Sequence, residues 1–229
     1  MRVFSHLLVL IMLIAPLCVQ AFDPVLNVVL PRGGQRGHEV EVNLHGDRMF
    51  APEEIIFLKP GIAVKSLTKV SNKHVKALLV IAPDAALGEH PLRLRCKEGV
   101  TYMRTFWVGQ FGTTAEKEPN NDFAKPQVVP WNTTVAGVAG LEDADYYQVS
   151  VKKGQRISVE VEGMRLGGVF FDPYVAILDA KRFELATSDD APLLRQDAFV
   201  SVIAPADGNY TVLVRESSYE GSNGCRYRL

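Results

Sequence analysis

The sequence predicts an all-β protein with two β-sandwich domains in tandem. Short runs alternate apolar and polar residues with a period of two, and turn-forming residues separate these runs about every 8–12 residues. An acidic stretch at residues 116–122 divides the runs into two sets, and no stretch has convincing helical spacing. The chain has 229 residues, of which 47% are hydrophobic, which suffices for two small packed cores.

The first 21 residues have the pattern of a secretory signal peptide. Arg2 gives a positive start, residues 7–17 are apolar, and the small Ala21 precedes the predicted cleavage site. The rival interpretations are a lipoprotein signal ending at Cys18, which Leu17 disfavours because it is not small, and an uncleaved anchor. Since the apolar run is too short for a comfortable membrane span, we expect a secreted, periplasmic or cell-surface protein whose mature chain has no membrane span.

Charge and cysteine content restrict the partners further. The formal net charge is -1, so no basic field favours nucleic acid or an anionic membrane. The predicted mature chain keeps two cysteines, Cys96 and Cys225, each on the apolar positions of a predicted strand and in different domains. The pattern therefore favours two buried free thiols over a disulfide.

Residues 22–111 form the first predicted domain. Its opening, at residues 30–37 and 40–46, resembles bacterial cell-surface immunoglobulin-like domains of the plexin and transcription-factor type, which implies a spacer or interaction module. Four histidines lie in this domain without metal-ligand spacing, so we interpret them as surface or turn residues. The runs predicted as strands are 39–44, 54–58, 64–70, 75–81, 91–96 and 101–108.

Residues 112–229 form the second predicted domain, and their landmarks resemble the bacterial pre-peptidase C-terminal domain family. These landmarks are residues 118–122 (EPNND), 138–140 (VAG), 145–147 (DYY), 153–155 (KGQ), 172–173 (DP), 208–214 (GNYTVLV) and 227–229 (YRL). The resemblance implies a jelly-roll-like sandwich that is not itself catalytic and that occurs in secreted bacterial proteins, often beside peptidases. The runs predicted as strands are 133–138, 147–151, 157–161, 174–178, 184–187, 199–203 and 210–214.

The acidic stretch is also a candidate calcium site. Related collagen-binding modules hold calcium between an acidic linker and the loop before paired tyrosines, so the resemblance implies a ligand set here. Calcium takes about six to eight oxygen ligands, and several adjacent carboxylates repel one another without a cation. An asparagine replaces an acidic linker residue, which should weaken binding, and solvated linker charge with ordinary turn chemistry is the alternative. The candidate ligands are Glu116, Glu118, Asn120, Asn121, Glu142, Asp143 and Asp145.

No catalytic motif stands out, so we expect a protein that is not an enzyme. The sequence has no G-x-S-x-G, HExxH or phosphate-loop motif, and every histidine of the predicted mature chain precedes residue 91. The predicted function is a secreted, non-catalytic binding or accessory module that contacts extracellular protein or polysaccharide. The alternatives are the N-terminal accessory region of a larger secreted hydrolase, since the family's last strand usually continues past its Tyr-x-Leu, and a structural envelope component.

Overall fold

A computed structural model describes residues 23–229, so the predicted signal peptide lies outside the described residues. This part of the chain is all-β, which confirms the predicted fold class. Its only helical element is a 3₁₀ turn at Met164–Leu166. Within residues 23–229 no helix has the length and apolar character needed to cross a membrane.

The first sandwich packs two sheets around one core. One sheet has the strand order β1-β3-β6-β5 and the other has the order β2-β9-β7-β4, with β8 paired to β7. Its strands are β1 (Val25–Leu30), β2 (Gly33–Gln35), β3 (Glu39–Asp47), β4 (Pro52–Phe57), β5 (Ile62–Ser71), β6 (His74–Ile81), β7 (Gly88–Cys96), β8 (Gly99–Val100) and β9 (Arg104–Gly109).

The period-two pattern places the core of this sandwich. Buried and partly buried residues alternate strictly along β6, because successive side chains point to opposite faces of the sheet. Leu79, Leu94 and Phe106 come from three different strands and meet in one apolar cluster. His90 differs from the interpretation as a surface histidine, because it is fully buried and its Nε2 lies 2.7 Å from the Ala86 carbonyl oxygen.

The second sandwich contains three sheets around a separate core. The largest sheet has the order β11-β13-β18-β15-β16. The other two sheets have the orders β10-β12-β19 and β14-β17. Its strands are β10 (Thr113–Ala115), β11 (Gln127–Val128), β12 (Thr134–Val138), β13 (Ala144–Val151), β14 (Arg156–Glu160), β15 (Pro173–Leu178), β16 (Glu184–Ser188), β17 (Phe199–Ile203), β18 (Gly208–Glu216) and β19 (Arg226–Arg228).

The sequence KKGQ at residues 152–155 is typical of a hairpin turn, but the turn here does not connect two paired strands. Gly154 adopts a positive φ of 83° there, as a tight turn requires, but the flanking strands pair with other partners. β13 pairs with β18, and β14 pairs with β17. The chain therefore crosses from one sheet to the next at this turn, which lets Val149 and Ile157 face the same core.

Both cysteines of the described range are buried and unpaired. Cys96 belongs to the first core and Cys225 to the second. Burial, with Glu98 and Glu53 nearby, raises the pKa of the Cys96 thiol to about 11, so this thiol stays protonated and behaves as a small apolar side chain.

The two sandwiches touch through arginines of the second and glycines of the first. The guanidinium of Arg228 lies so close to Gly33 and Gly109 that a side chain at either glycine would collide with it. On the same side, the guanidinium of Arg165 lies 5.2 Å from the centre of the Trp107 ring. This contact brings β19 of the second sandwich against β2 and β9 of the first.

Candidate functional site: an acidic cluster at the linker

The linker after β9 is bound to the second sandwich as an extra strand. β10 pairs in parallel with β12. Beyond β10, the Glu116 amide donates to the Ala136 carbonyl at 3.0 Å, and Glu116 Oε2 accepts the Val138 amide at 3.0 Å. This pairing fixes the main chain of Glu116 and turns its carboxylate toward the interior of the sandwich.

The chain is fixed again at Asn120, which is only 1% exposed. Its main-chain oxygen accepts the Tyr146 amide at 3.0 Å, and its own amide donates to Glu118 Oε2 at 3.0 Å. Because Tyr146 belongs to β13, this contact places the linker directly beside the start of that strand.

Two tyrosine hydroxyls join two carboxylates beneath the linker. Tyr147 donates to Glu116 Oε1 at 2.6 Å, and Tyr227 donates to Asp145 Oδ2 at 2.6 Å. The two hydroxyl oxygens are 2.5 Å apart, and that of Tyr227 is also 2.9 Å from Glu116 Oε1. These four side chains form one polar network in which each hydroxyl hydrogen is directed at a carboxylate oxygen or at the oxygen of the other hydroxyl.

Three carboxylates and one amide converge above this network. Glu116, Glu118 and Asp145 each place one oxygen within 4.8 Å of the others. With its nitrogen turned toward them, the Asn120 amide donates to Glu118 Oε2 at 2.8 Å and to Asp145 Oδ1 at 3.1 Å. With the Asn120 amide turned the other way, its oxygen faces the carboxylates. The site between these side chains is then lined only by oxygen atoms, which are the ligands that calcium takes. The residues present therefore fit calcium.

The electrostatics of the cluster oppose its ionisation. Burial, together with the nearby carboxylates of Glu116 and Asp143, raises the pKa of Asp145 to about 8, although the hydrogen bond from Tyr227 opposes this shift. Burial also raises the pKa of Glu118, despite its hydrogen bond from the Asn120 amide. Without a cation the cluster thus favours a proton on Asp145, and a divalent cation would replace that proton.

The other predicted ligands lie at different positions. Asn121 donates to Asp143 Oδ1 at 2.5 Å, while Asp143 Oδ2 accepts the Gly140 amide at 3.0 Å. Asp143 therefore joins the linker to the loop before β13 and has both oxygens engaged. Glu142 is exposed and is not one of the three converging carboxylates. Its main-chain amide donates to the Tyr219 carbonyl at 3.0 Å.

Sequence reasoning missed the part that Tyr227 and Gly137 play in this site. The ring of Tyr227 lies over Gly137, where a side chain would overlap it and would come within 2.8 Å of Glu116 Oε1. Alternation along β19 is the signal that points to Tyr227, since this tyrosine stands between two arginines in the sequence RYR and faces the opposite way.

A cleft between the two sandwiches is the second concave feature near the linker. Its volume is about 630 Å³, and both tryptophans of the chain line it, together with Phe111 and Phe199. Trp131 and Phe199 are 41% and 44% exposed. Polar side chains of β14 lie among these rings, so the cleft combines aromatic faces with hydrogen-bonding groups.

Comparison with known proteins relates the second sandwich to one family. Residues 143–216 match the model of the bacterial pre-peptidase C-terminal domain. A probable subtilase-type serine protease of Deinococcus radiodurans is 30% identical over 96 residues, which is 41% of this chain. The chain spans 13% of the length of that relative.

Solved structures with a similar outline have low sequence identity. SGBP-B of the mixed-linkage glucan utilization locus of Bacteroides ovatus, solved with a mixed-linkage heptasaccharide, is 9% identical and has a TM-score of 0.32. The match covers 90% of this chain and 53% of that chain. The secreted serine protease VesC of Vibrio cholerae is 12% identical with a TM-score of 0.29, covering 86% of this chain and 47% of that chain.

The family match extends over the strands from β13 to β18. It includes Asp145 of the acidic cluster and the adjacent Asp143, while the candidate ligands of the linker precede it. Residues 143–216 of the second sandwich therefore correspond to a bacterial pre-peptidase C-terminal domain.

Proposed function

We propose that the chain is an exported, non-catalytic accessory module that contacts an extracellular polysaccharide or protein. The observation that carries this proposal is the pre-peptidase C-terminal domain in the second sandwich. The predicted signal peptide agrees with export. The second domain also contains no histidine in its sequence, so a Ser-His-Asp triad within that domain is ruled out.

The aromatic cleft is the surface that we assign to this contact. Ligand sites are typically concave, largely apolar and aromatic, and carry a few polar groups that fix orientation. Trp131 and Phe199 offer ring faces to the apolar side of a sugar ring, while Arg156, Ser158 and Glu160 offer donors and acceptors to its hydroxyl groups. This combination favours a polysaccharide over a protein.

A pull-down with insoluble polysaccharides and immobilised extracellular proteins tests the proposal. We expect the full chain to be retained by a polysaccharide and the Trp131→Ala variant to be largely lost from it. The matched control is Tyr102→Ala, because Tyr102 is 76% exposed and lies outside the cleft. If no polysaccharide or protein retains the chain, or if both variants bind equally well, the assignment is wrong.

We further propose that calcium binds at the acidic cluster and fastens the linker to the second sandwich. Glu116, Glu118, Asn120 and Asp145 are the residues that would hold it. A bound calcium ion would supply charge compensation to the three carboxylates. Glu116 and Asn120 would then be held by the ion as well as by their main-chain hydrogen bonds to the sandwich.

Calorimetric titration of the chelator-treated chain with calcium tests this second proposal. We expect binding that the Glu118→Gln variant weakens, since it removes a ligand charge from an exposed position without disturbing the core. Glu142→Gln is the matched control, because Glu142 lies in the adjacent loop but outside the carboxylate group. Equal effects of the two substitutions, or the absence of any binding heat, would refute calcium binding at this cluster.

A second candidate function is that of an accessory region of a larger secreted hydrolase. The resemblance of 96 residues to a subtilase-type serine protease supports it. The reading frame beyond residue 229 distinguishes the two candidates. A catalytic motif encoded there would favour the larger hydrolase, and a stop codon would favour the independent module.

A further inference from the structure

Three arginines surround a separate cavity of about 380 Å³ between the two sandwiches. Arg32 lies between β1 and β2, Arg104 begins β9, and Arg226 begins β19, so two cations come from the first sandwich and one from the second. Much of the remaining wall is glycine, which leaves main chain accessible to a ligand. These glycines are Gly163, Gly167, Gly168 and Gly224.

Arg32 is buried here without a compensating negative charge. It is 5% exposed, and although it donates to the Leu166 carbonyl, its Nε finds no acceptor among residues 23–229. Burial, together with the positive charges of Arg104 and Arg226, lowers the pKa of Arg32 to about 10. A buried charge is costly unless it is paired, and the charge of Arg32 has no negatively charged partner here.

The other two arginines do not supply a negative charge either. Arg104 donates to neutral carbonyls, through Nε to Asn27 at 2.8 Å and through Nη1 to Met103 at 2.9 Å. Arg226 forms no ion pair with any residue in the described range. No aspartate or glutamate of residues 23–229 lines the cavity.

Neighbouring arginines at the same interface are neutralised, which sets this cavity apart. Arg228 forms an ion pair with Glu162 at 2.6 Å, and Arg165 forms one with Asp197 at 2.5 Å. Arg228 and Arg165 are therefore each paired with a carboxylate, whereas no carboxylate of residues 23–229 lines the cavity at Arg32.

We propose that this cavity binds a compact oxyanion, meaning a carboxylate, sulfate or phosphate group, free or carried by a small acidic molecule. Guanidinium groups match the oxygen geometry of these anions with paired hydrogen bonds. The volume falls in the range of about 300–1,000 Å³ that is usual for ligand sites and exceeds the needs of one inorganic ion. Because the arginines belong to both sandwiches, the bound anion stabilises their contact.

Calorimetric titration of the full chain with sodium sulfate and with sodium phosphate tests the proposal, at constant ionic strength set with sodium chloride and with chelator present. We expect binding of at least one of the two anions, and Arg226→Gln to weaken it about tenfold, as loss of one charged hydrogen-bonding partner should. Arg93→Gln, on the exposed face of β7, is the matched control and should bind as the unaltered chain does.

Thermal melting distinguishes stabilisation by a bound anion from the general stabilising effect of salt. Sulfate stabilises folded proteins by exclusion from their surfaces, and that effect would be equal in the Arg226→Gln variant. We expect the variant to melt no lower than the unaltered chain without sulfate, because it loses a repulsion, and to gain less from sulfate. Arg226→Lys keeps the charge without the paired donors and should bind with intermediate affinity. Absence of binding heat, or equal affinity in Arg226→Gln and Arg93→Gln, would overturn the proposal.

Discussion

At the level of single residues, the Asn120 amide is the uncharged member of the acidic cluster. Its amide nitrogen satisfies Glu118 and Asp145 when no cation is bound, whereas its oxygen would have to face them when a cation is bound. A carboxylate at this position would lack the donor and add a negative charge. The sequence predicted Asn120 and its neighbours as candidate ligands, but the rotation of one amide group is visible only with the folded geometry.

We expect Asn120→Asp to tighten calcium binding about tenfold, since ligand charge tunes the affinity of calcium sites. The same variant should melt at a lower temperature than the unaltered chain in chelator, because a fourth carboxylate then replaces the amide that donates to Glu118 and Asp145. Calorimetry and melting curves with and without calcium measure both effects. Asn223→Asp, at an exposed position in another loop, is the control; if both variants behave alike, the amide of Asn120 has no special part.

The raised pKa of Asp145 predicts how stability depends on pH. Its ordinary value is 3.8 and its value in the fold is about 8, so between these limits the folded chain keeps a proton that the unfolded chain has released. Rising pH therefore favours unfolding across this window, and the free energy of unfolding in chelator should fall from about pH 4 to about pH 8. Asp145→Asn should flatten this decline and calcium should remove part of it. Urea denaturation at several pH values measures it, and a free energy that rises through the window would contradict the assignment.

At the level of elements, β10 and β19 are short strands that build the site. The alternation of Cys225, Tyr227 and Leu229 predicted a strand where β19 lies, whereas β10 was not predicted. β10 has only three residues, all exposed or half-exposed, which is too little for a period-two pattern. β1 was also missed, because its sequence VLNVVL follows the leader without clear alternation. The longer strands were predicted correctly, since their alternation extends over enough residues to fix which face is buried.

We expect Gly137→Ala on β12 to break the site and destabilise the fold. The added methyl group would overlap the Tyr227 ring and crowd Glu116, and over-packing of this kind costs about 1–3 kcal/mol of unfolding free energy. Gly112→Ala is the control, because a methyl group there meets only Gln35 Oε1 at an ordinary 3.5 Å. Chemical denaturation of both variants provides the comparison. Equal stability would show that Tyr227 can move aside.

At the level of the whole molecule, the contact between the sandwiches depends on residues far apart in the sequence. Arg32 and Leu166 are separated by 134 positions, and Arg228 meets Gly33 and Gly109 across the same interface. Periodicity describes neighbours along the chain and says nothing about such pairs. This is why the fold class could be predicted from the sequence, whereas the aromatic cleft and the arginine cavity could not.

We expect Arg228→Ala to destabilise the whole chain by about 3–5 kcal/mol, because it leaves the buried carboxylate of Glu162 without its partner. Burial already raises the pKa of Glu162 to about 7 although Arg228 opposes the shift. The double variant Arg228→Met with Glu162→Gln should recover much of the loss, since no unpaired charge then remains. Denaturation of the single and double variants forms a double-mutant cycle. Additive effects would mean that the ion pair is not the cause.

The alternation along β19 has a consequence for the order of folding. Tyr227 joins the linker cluster on one side of this strand. On the other side, Arg228 meets the first sandwich and Arg226 lines the arginine cavity. Because a chain is made from its N-terminus and domains fold as units, the first sandwich can finish folding while its glycine face is still uncovered. The residues around position 227 then add contacts to the linker and to the interface at the same time, beside those that Arg165 and Leu166 make with Trp107 and Arg32. The joining of the two sandwiches is thus finished by β19, which is made after most of both cores.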